Sequence, residues 1–218
     1  MSSPVSDRRA FLRAAAVAPL VLAGCARQGP WHAIDVAGTS PDLVFTMRRA
    51  SDGREVTQAD YRGDIVMLYL GYTFCPDACP TTLANVQRIF QRLGKRAEHI
   101  RFLFVTVDPN RDTLPVLRKY LANFGPDIAG LRGTPDQLAS LARRFRLVYS
   151  VHPSPDPEKY DVSHSDAIYV FDGTGAARLL IPSLATAHPD IEATVQDLTR
   201  LAEGSEHPGW LARLRRLV

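Results

Sequence analysis

Short continuous apolar runs alternate with longer stretches in which apolar residues recur at helical spacing, and this alternation predicts the order of elements. Leu43 to Arg49, the turn Ser51-Asp52-Gly53 and Glu55-Val56-Thr57 read as a strand, a tight turn and a short return strand. Ile65 to Leu70 is apolar over the length of a strand, as expected for one buried on both faces. Leu83, Val86, Ile89, Phe90 and Leu93 then mark one face of a helix that Gly94 ends. Ile100 to Val107 is a second β-rich run, and Leu114 to Phe124 a helix opened by Asp112-Thr113 and closed by Gly125-Pro126. Thr134-Pro135-Asp136-Gln137 is a capping box with proline in the first turn, starting a helix through Leu138, Leu141, Ala142 and Phe145. Leu147 to Val151 reads as a strand and Pro153 to Lys159 as a proline-rich loop. Ala167 to Phe171 and Ala177 to Ile181 form a hairpin around Asp172-Gly173-Thr174-Gly175, and a last helix runs from about Pro189 to Ala202.

An N-terminal β-hairpin, βαβαβ-like alternation, a second hairpin and a helix describe a thioredoxin-like α/β fold, with a central mixed β-sheet flanked by helices. With 218 residues, 45% hydrophobic and 22% charged, the chain has the length and composition of one well-buried domain. We place that domain at residues 42–203, followed by a tail at 204–218. The tail carries Arg213, Arg215 and Arg216, as a solvated end or a weak contact with anionic lipid. The net charge is +3, of which Arg8, Arg9 and Arg13 against Asp7 supply +2. What remains is too little to argue for nucleic acid.

Ser6-Asp7-Arg8-Arg9-Ala10-Phe11-Leu12-Arg13 is a twin-arginine start, and the apolar stretch Ala14 to Gly24 is too short to span a bilayer. Residues 1–24 therefore read as an export signal. Leu22-Ala23-Gly24-Cys25 resembles the lipobox of bacterial lipoproteins, in which the cysteine becomes the acylated first residue. A cleaved signal with a spectator cysteine and an uncleaved anchor are the alternatives. Residues 25–41 would be a tether from the membrane. The expected location is the bacterial cell envelope, at the periplasmic face of the inner membrane.

The chemistry lies in Gly71-Tyr72-Thr73-Phe74-Cys75-Pro76-Asp77-Ala78-Cys79-Pro80. Both thiols precede proline, which pushes a residue out of the helical region, so both are expected outside regular helix. With Pro80 at the first helical position, Cys79 would be the N-cap or its neighbour, and the helix N-terminus would favour its thiolate. Two thiolates select a soft ion such as Cu(I). In a thioredoxin-like topology the loop entering strand 167–171 faces this helix start, which makes His164 a candidate third donor. A Cys2His set also accepts Zn(II), and His164 alone reads equally as a strand-entry histidine bonded to backbone.

The stretch Asp64 to Leu83, the block Val105-Thr106-Val107-Asp108-Pro109-Asn110-Arg111-Asp112-Thr113, and Tyr160 to His164 leading into Ile168-Tyr169-Val170-Phe171-Asp172 together resemble the Sco/SenC copper chaperones. The resemblance spans roughly Leu43 to Leu201. It implies one copper ion, as Cu(I) or Cu(II), on Cys75, Cys79 and His164, serving the binuclear copper site of cytochrome c oxidase subunit II. An upstream periplasmic copper donor and a thioredoxin-like reductant are the further partners. The family often has Asp immediately before the histidine, where this chain has Ser163. Asp77, Asp108 and Arg111 are candidates for supporting the ligands, while Asp112 and Thr113 read equally as a turn and helix cap. The remaining histidines, His32, His99, His152, His188 and His207, show no partner at metal spacing.

Three functions compete. The first is copper transfer by ligand exchange. The second is thiol–disulfide exchange through Cys75 and Cys79, which form a disulfide when oxidised and would keep the subunit II cysteines reduced. The third is a peroxiredoxin-like peroxidase with Thr73 near Cys75, against which the proline-flanked pair argues.

Overall fold

The computed structural model describes residues 29–156 and 159–205. The signal segment, Cys25, His207 and the arginines of the tail lie outside the described residues.

In chain order the elements are β1 (Ile34–Asp35), β2 (Thr46–Arg49), β3 (Glu55–Thr57), β4 (Ile65–Gly71), α1 (Ala78–Leu93), β5 (Ile100–Thr106), α2 (Leu114–Leu121), β6 (Ile128–Arg132), α3 (Pro135–Phe145), β7 (Tyr149–His152), β8 (Asp161–His164), β9 (Ile168–Phe171), β10 (Ala177–Ile181) and α4 (Ile191–Ser205). Among the described residues, eight strands form a mixed sheet in the order β1-β10-β9-β4-β5-β6-β2-β3, and β7 pairs with β8 in a separate two-stranded ribbon. β4 and β5 run parallel from Ile65 opposite Ile100 to Gly71 opposite Thr106, while β9 runs antiparallel on the other side of β4.

Every residue of β4 is buried, because helices cover both sheet faces. Val66, Leu68 and Leu70 point to the face where Leu138, Leu141 and Phe145 of α3 pack. Ile65, Met67 and Tyr69 point to the other, against Leu83, Val86 and Ile89 of α1, Leu117 of α2 and Leu198 of α4. Burying each such aliphatic side chain contributes roughly 1.5–3 kcal/mol. The centre of the sheet is accordingly the rigid platform from which β4 and β5 deliver their following loops.

The structure departs from the sequence expectations at the edges. The hydrophobic pattern does not predict β6, because Gly130 interrupts its apolar run. Gly130 is where α2 crosses, and a Cβ there would lie 2.7 Å from the Leu121 side chain. β2 begins at Thr46 rather than Leu43 and pairs with both β3 and β6. α2 ends at Leu121 rather than Phe124, and α4 runs from Ile191 to Ser205. The stretch expected to be a tether up to Pro41 is docked well before that point, with Ile34 and Asp35 pairing against Leu180 and Leu179 of β10.

α1 begins at Ala78, with Asp77 as N-cap, so Cys79 lies within the helix rather than at its cap. Pro80 is tolerated as the third helical residue because the first-turn N–H groups have no intrahelical partner. Its ring opposes the carbonyl of Pro76, which is not yet helical.

Candidate metal centre

β4 ends against the β5–α2 loop, where the Val107 N–H donates to the Gly71 carbonyl at 2.8 Å. Asp112, fully buried, straps down the loop that follows. Its carboxylate accepts the Thr73 N–H at 3.0 Å, the Thr73 hydroxyl at 2.5 Å and the Thr106 hydroxyl at 2.6 Å. Burial pushes the Asp112 carboxyl up, against the opposing pull of these donors. Thr113, by contrast, is the N-cap of α2. The two residues that read alike in sequence thus divide into a loop strap and a helix cap.

Cys75 lies in this loop, half-buried, and Cys79 is completely buried on the first turn of α1. Gly71 makes room for Cys79: a Cβ at that position would stand 2.9 Å from Cys79 Sγ and 2.6 Å from the Phe104 ring. The Cys79 N–H donates to Cys75 Sγ at 3.3 Å, so the helix N-terminus acts on Cys75 rather than on Cys79. Hydrogen bonding with Cys79 draws the Cys75 thiol far down, overcoming burial, with the His164 ring contributing in the same direction. The same contact, together with burial, holds Cys79 up as a thiol. This corrects the expectation that Cys79 carries the thiolate. The cause is the earlier helix start, which aims a first-turn N–H at the preceding cysteine.

His164 reaches the cysteines from the end of β8. The β7–β8 ribbon sets Tyr149 opposite His164, and the Ser165 N–H donates to the Val148 carbonyl at 2.8 Å. The His164 side chain is 4% exposed. Its Nε2 lies 3.4 Å from Cys79 Sγ, while Nδ1 donates to the Ser165 carbonyl at 3.2 Å. That bond selects the tautomer whose Nε2 lone pair faces the sulfurs, the arrangement a metal-binding imidazole needs. Burial opposes a charge on the ring, but Cys75 and the Ser165 carbonyl outweigh it and raise the His164 pKa. Tyr69 and Tyr72 meet the ring edge-on, and the Tyr69 hydroxyl donates to Cys79 Sγ at 3.7 Å.

The ligand atoms of Cys75, Cys79 and His164 lie within 4.8 Å of one another, and among the described residues no other His, Cys, Asp or Glu joins them. Three donors, two of them sulfur, can hold one soft metal ion of low coordination number. The absence of a fourth protein ligand among the described residues fits a structural zinc poorly. Reduced as they stand, the two cysteines are also free to oxidise.

The other candidates separate. Asp77 is an exposed N-cap, touched at its carboxylate by the Thr81 hydroxyl at 3.5 Å. Asp108, buried, and Arg111, partly buried, form an ion pair beside the cysteine loop. Ser163 hydrogen-bonds His152 at 3.0 Å on the face of β8 turned from the imidazole, as strand alternation requires. The carboxylate near Nδ1 is instead that of Asp166, at 3.8 Å. Sequence reasoning missed Tyr69, which reaches Cys79 from β4, and Asp166, which β8 brings to the site.

A thioredoxin-like sheet with a buried Cys2His cluster at the start of its first helix defines a soft-metal or thiol-redox protein. The SCO1/SenC family model matches residues 45–203, and the chain belongs to the SCO1/SenC family. It is 38% identical over 125 residues to the mitochondrial protein SCO2 homolog of Bos taurus, covering 56% of this chain and 47% of that one. The chain thus spans about half the length of the curated relatives it matches. ScoI of Bradyrhizobium japonicum, solved with copper bound, is 30% identical with a TM-score of 0.66, over 74% of this chain and 99% of that one. Yeast Sco1 with copper bound is 28% identical with a TM-score of 0.65, over 73% and 89% respectively.

Proposed function

We propose that this chain binds one copper ion through Cys75, Cys79 and His164 and passes it by ligand exchange to the binuclear copper site of cytochrome c oxidase subunit II. The observation that carries this reading is the convergence of two sulfurs and an oriented imidazole Nε2 within 4.8 Å, most of it buried. Two thiolates favour Cu(I), and the imidazole adds a donor that Cu(II) accepts equally well. The copper-bound relatives support the choice of metal. An upstream copper donor and a thioredoxin-like reductant would load and maintain the site.

No helix among the described residues is long and apolar enough to cross a membrane. We place the domain at the periplasmic face of the bacterial inner membrane, held by a lipid on Cys25, on the strength of the twin-arginine and lipobox-like segments.

A specific observation favours thiol–disulfide exchange as a second activity: the Cys79 N–H at the start of α1 donates to Cys75 Sγ at 3.3 Å and helps lower the half-buried Cys75 thiol, while Cys79 is completely buried, an arrangement that suits an attacking and a resolving sulfur. Nothing favours the peroxidase, since the Thr73 hydroxyl is already committed to Asp112. Copper titration of the wild type beside His164→Ala tests the copper reading. One equivalent should bind, and the variant should bind about 10- to 100-fold more weakly. Equal affinity in the two proteins would remove the three-donor site.

A further inference from the structure

Arg111 stands between the two segments that supply the donors, on the β5–α2 loop that supplies none. Its guanidinium carbon is 4.8 Å from the centre of the Phe74 ring, one residue before Cys75. On its other side it lies 3.7 Å from the centre of the Tyr160 ring, four residues before His164. Nη1 also donates to the Tyr160 carbonyl at 2.9 Å. Nε is ion-paired with Asp108, whose side chain is 2% exposed and which accepts the Tyr160 hydroxyl as well. The same loop holds the cysteine segment through Asp112 and Thr73.

The β7–β8 ribbon depends on such contacts. Its strands hydrogen-bond to each other and to no strand of the main sheet among the described residues. A two-stranded ribbon alone is marginal in water. β7 is largely exposed apart from Tyr149, which packs on the core, and β8 is held inward by Val162, Tyr160 and His164 and by a bond between the Tyr72 side chain and the Val162 backbone, so few contacts secure the ribbon. The charge-assisted bond to Asp108, 2% exposed, is strong for its size, the stack on the half-buried Tyr160 ring adds to it, and the stack on Phe74, 56% exposed, adds less.

We propose that Arg111 is a positioning residue that sets His164 against Cys75 and Cys79 by joining the histidine ribbon to the cysteine loop. With Arg111 in place the site offers three donors; without it the ribbon releases and two sulfurs remain. The planar guanidinium is required, since it stacks on two rings while its edge serves Asp108 and the Tyr160 carbonyl, a combination that lysine cannot reproduce. The inference rests on the copper reading for the identity of the ion, although the placement of His164 in the metal-free protein does not need it.

The test compares Arg111→Ala and Arg111→Lys with wild type and His164→Ala, each first shown to unfold cooperatively. In the metal-free proteins, nuclear Overhauser contacts between the His164 ring and the Tyr69 and Tyr72 rings should vanish in both Arg111 variants. In the Cu(II) forms, electron paramagnetic resonance should lose its imidazole nitrogen coupling, and copper affinity should fall about 10- to 100-fold, toward that of His164→Ala. Should the alanine variant not fold, the lysine variant decides the matter. Ring contacts and nitrogen coupling retained at wild-type levels in a folded variant overturn the proposal. Wild-type copper behaviour in His164→Ala would instead overturn the copper reading, and the metal-free ring contacts would still judge Arg111.

Discussion

At the scale of single residues, the asymmetry between the two cysteines carries the chemistry. The Cys75 pKa is drawn down from its ordinary 9.0 to about 3 by the Cys79 contact, against burial, and then by His164 and backbone N–H groups. A depressed thiol contributes stability that is fully present above its unfolded pKa and is lost as pH falls toward the folded value. Cys79 has the opposite sign: its raised pKa contributes stability that fades above the ordinary thiol pKa. In the reduced, metal-free protein, alkylation by iodoacetamide should therefore modify Cys75 at a rate nearly level from about pH 8 down to about pH 5, because the thiolate persists throughout. Cys79 should remain unmodified over that range. A Cys75 rate that drops tenfold per pH unit below about 8 would show an ordinary thiol and refute the asymmetry. The sequence made the trio of Cys75, Cys79 and His164 legible, yet not which sulfur ionises. That depends on whether α1 starts at Ala78 or Pro80, a shift of two residues that spacing and proline rules leave open.

At the scale of elements, the site depends on how closely α1 descends onto the end of β4. Gly71 has an ordinary φ, so its role is space rather than backbone freedom. Gly71→Ala would drive a methyl group into Cys79 Sγ and the Phe104 ring, both completely buried and unable to yield into solvent. Overpacking of this kind costs about 1–3 kcal/mol. The expected outcome is a lower thermal midpoint together with weakened copper binding, because relief comes by displacing the Cys79 sulfur. A variant with lowered stability and wild-type copper affinity would show that Phe104 alone gives way. The elements around this contact were read correctly from periodicity: β4, α1, β5 and the β9–β10 hairpin all carry dense apolar patterns. Those missed are β1, β6 and β8, of two to five residues, whose sequences are mixed or interrupted by glycine. They exist because neighbouring strands and helices hold them, which is tertiary information that no local window contains.

At the scale of the whole molecule, the segment entering the domain is clasped to the last helix rather than left free. Asp197 of α4, 4% exposed, accepts the Ala33 N–H at 2.8 Å, the His32 N–H at 3.1 Å and His32 Nδ1 at 3.1 Å. Arg200, one turn further along, stacks on Trp31 at 3.8 Å, and β1 then extends the sheet edge at β10. Removing the carboxylate by Asp197→Ala leaves the Ala33 N–H without its partner and should cost about 1–3 kcal/mol, concentrated in residues 31–36. Chymotryptic cleavage after Trp31 should then accelerate by about tenfold or more, since local opening exposes the bond. Copper affinity should stay at the wild-type value, because Asp197 shares no contact with Cys75, Cys79 or His164. Cleavage at the wild-type rate would mean that β1 pairing and the Trp31 stack suffice, and that the carboxylate is not what holds the tether.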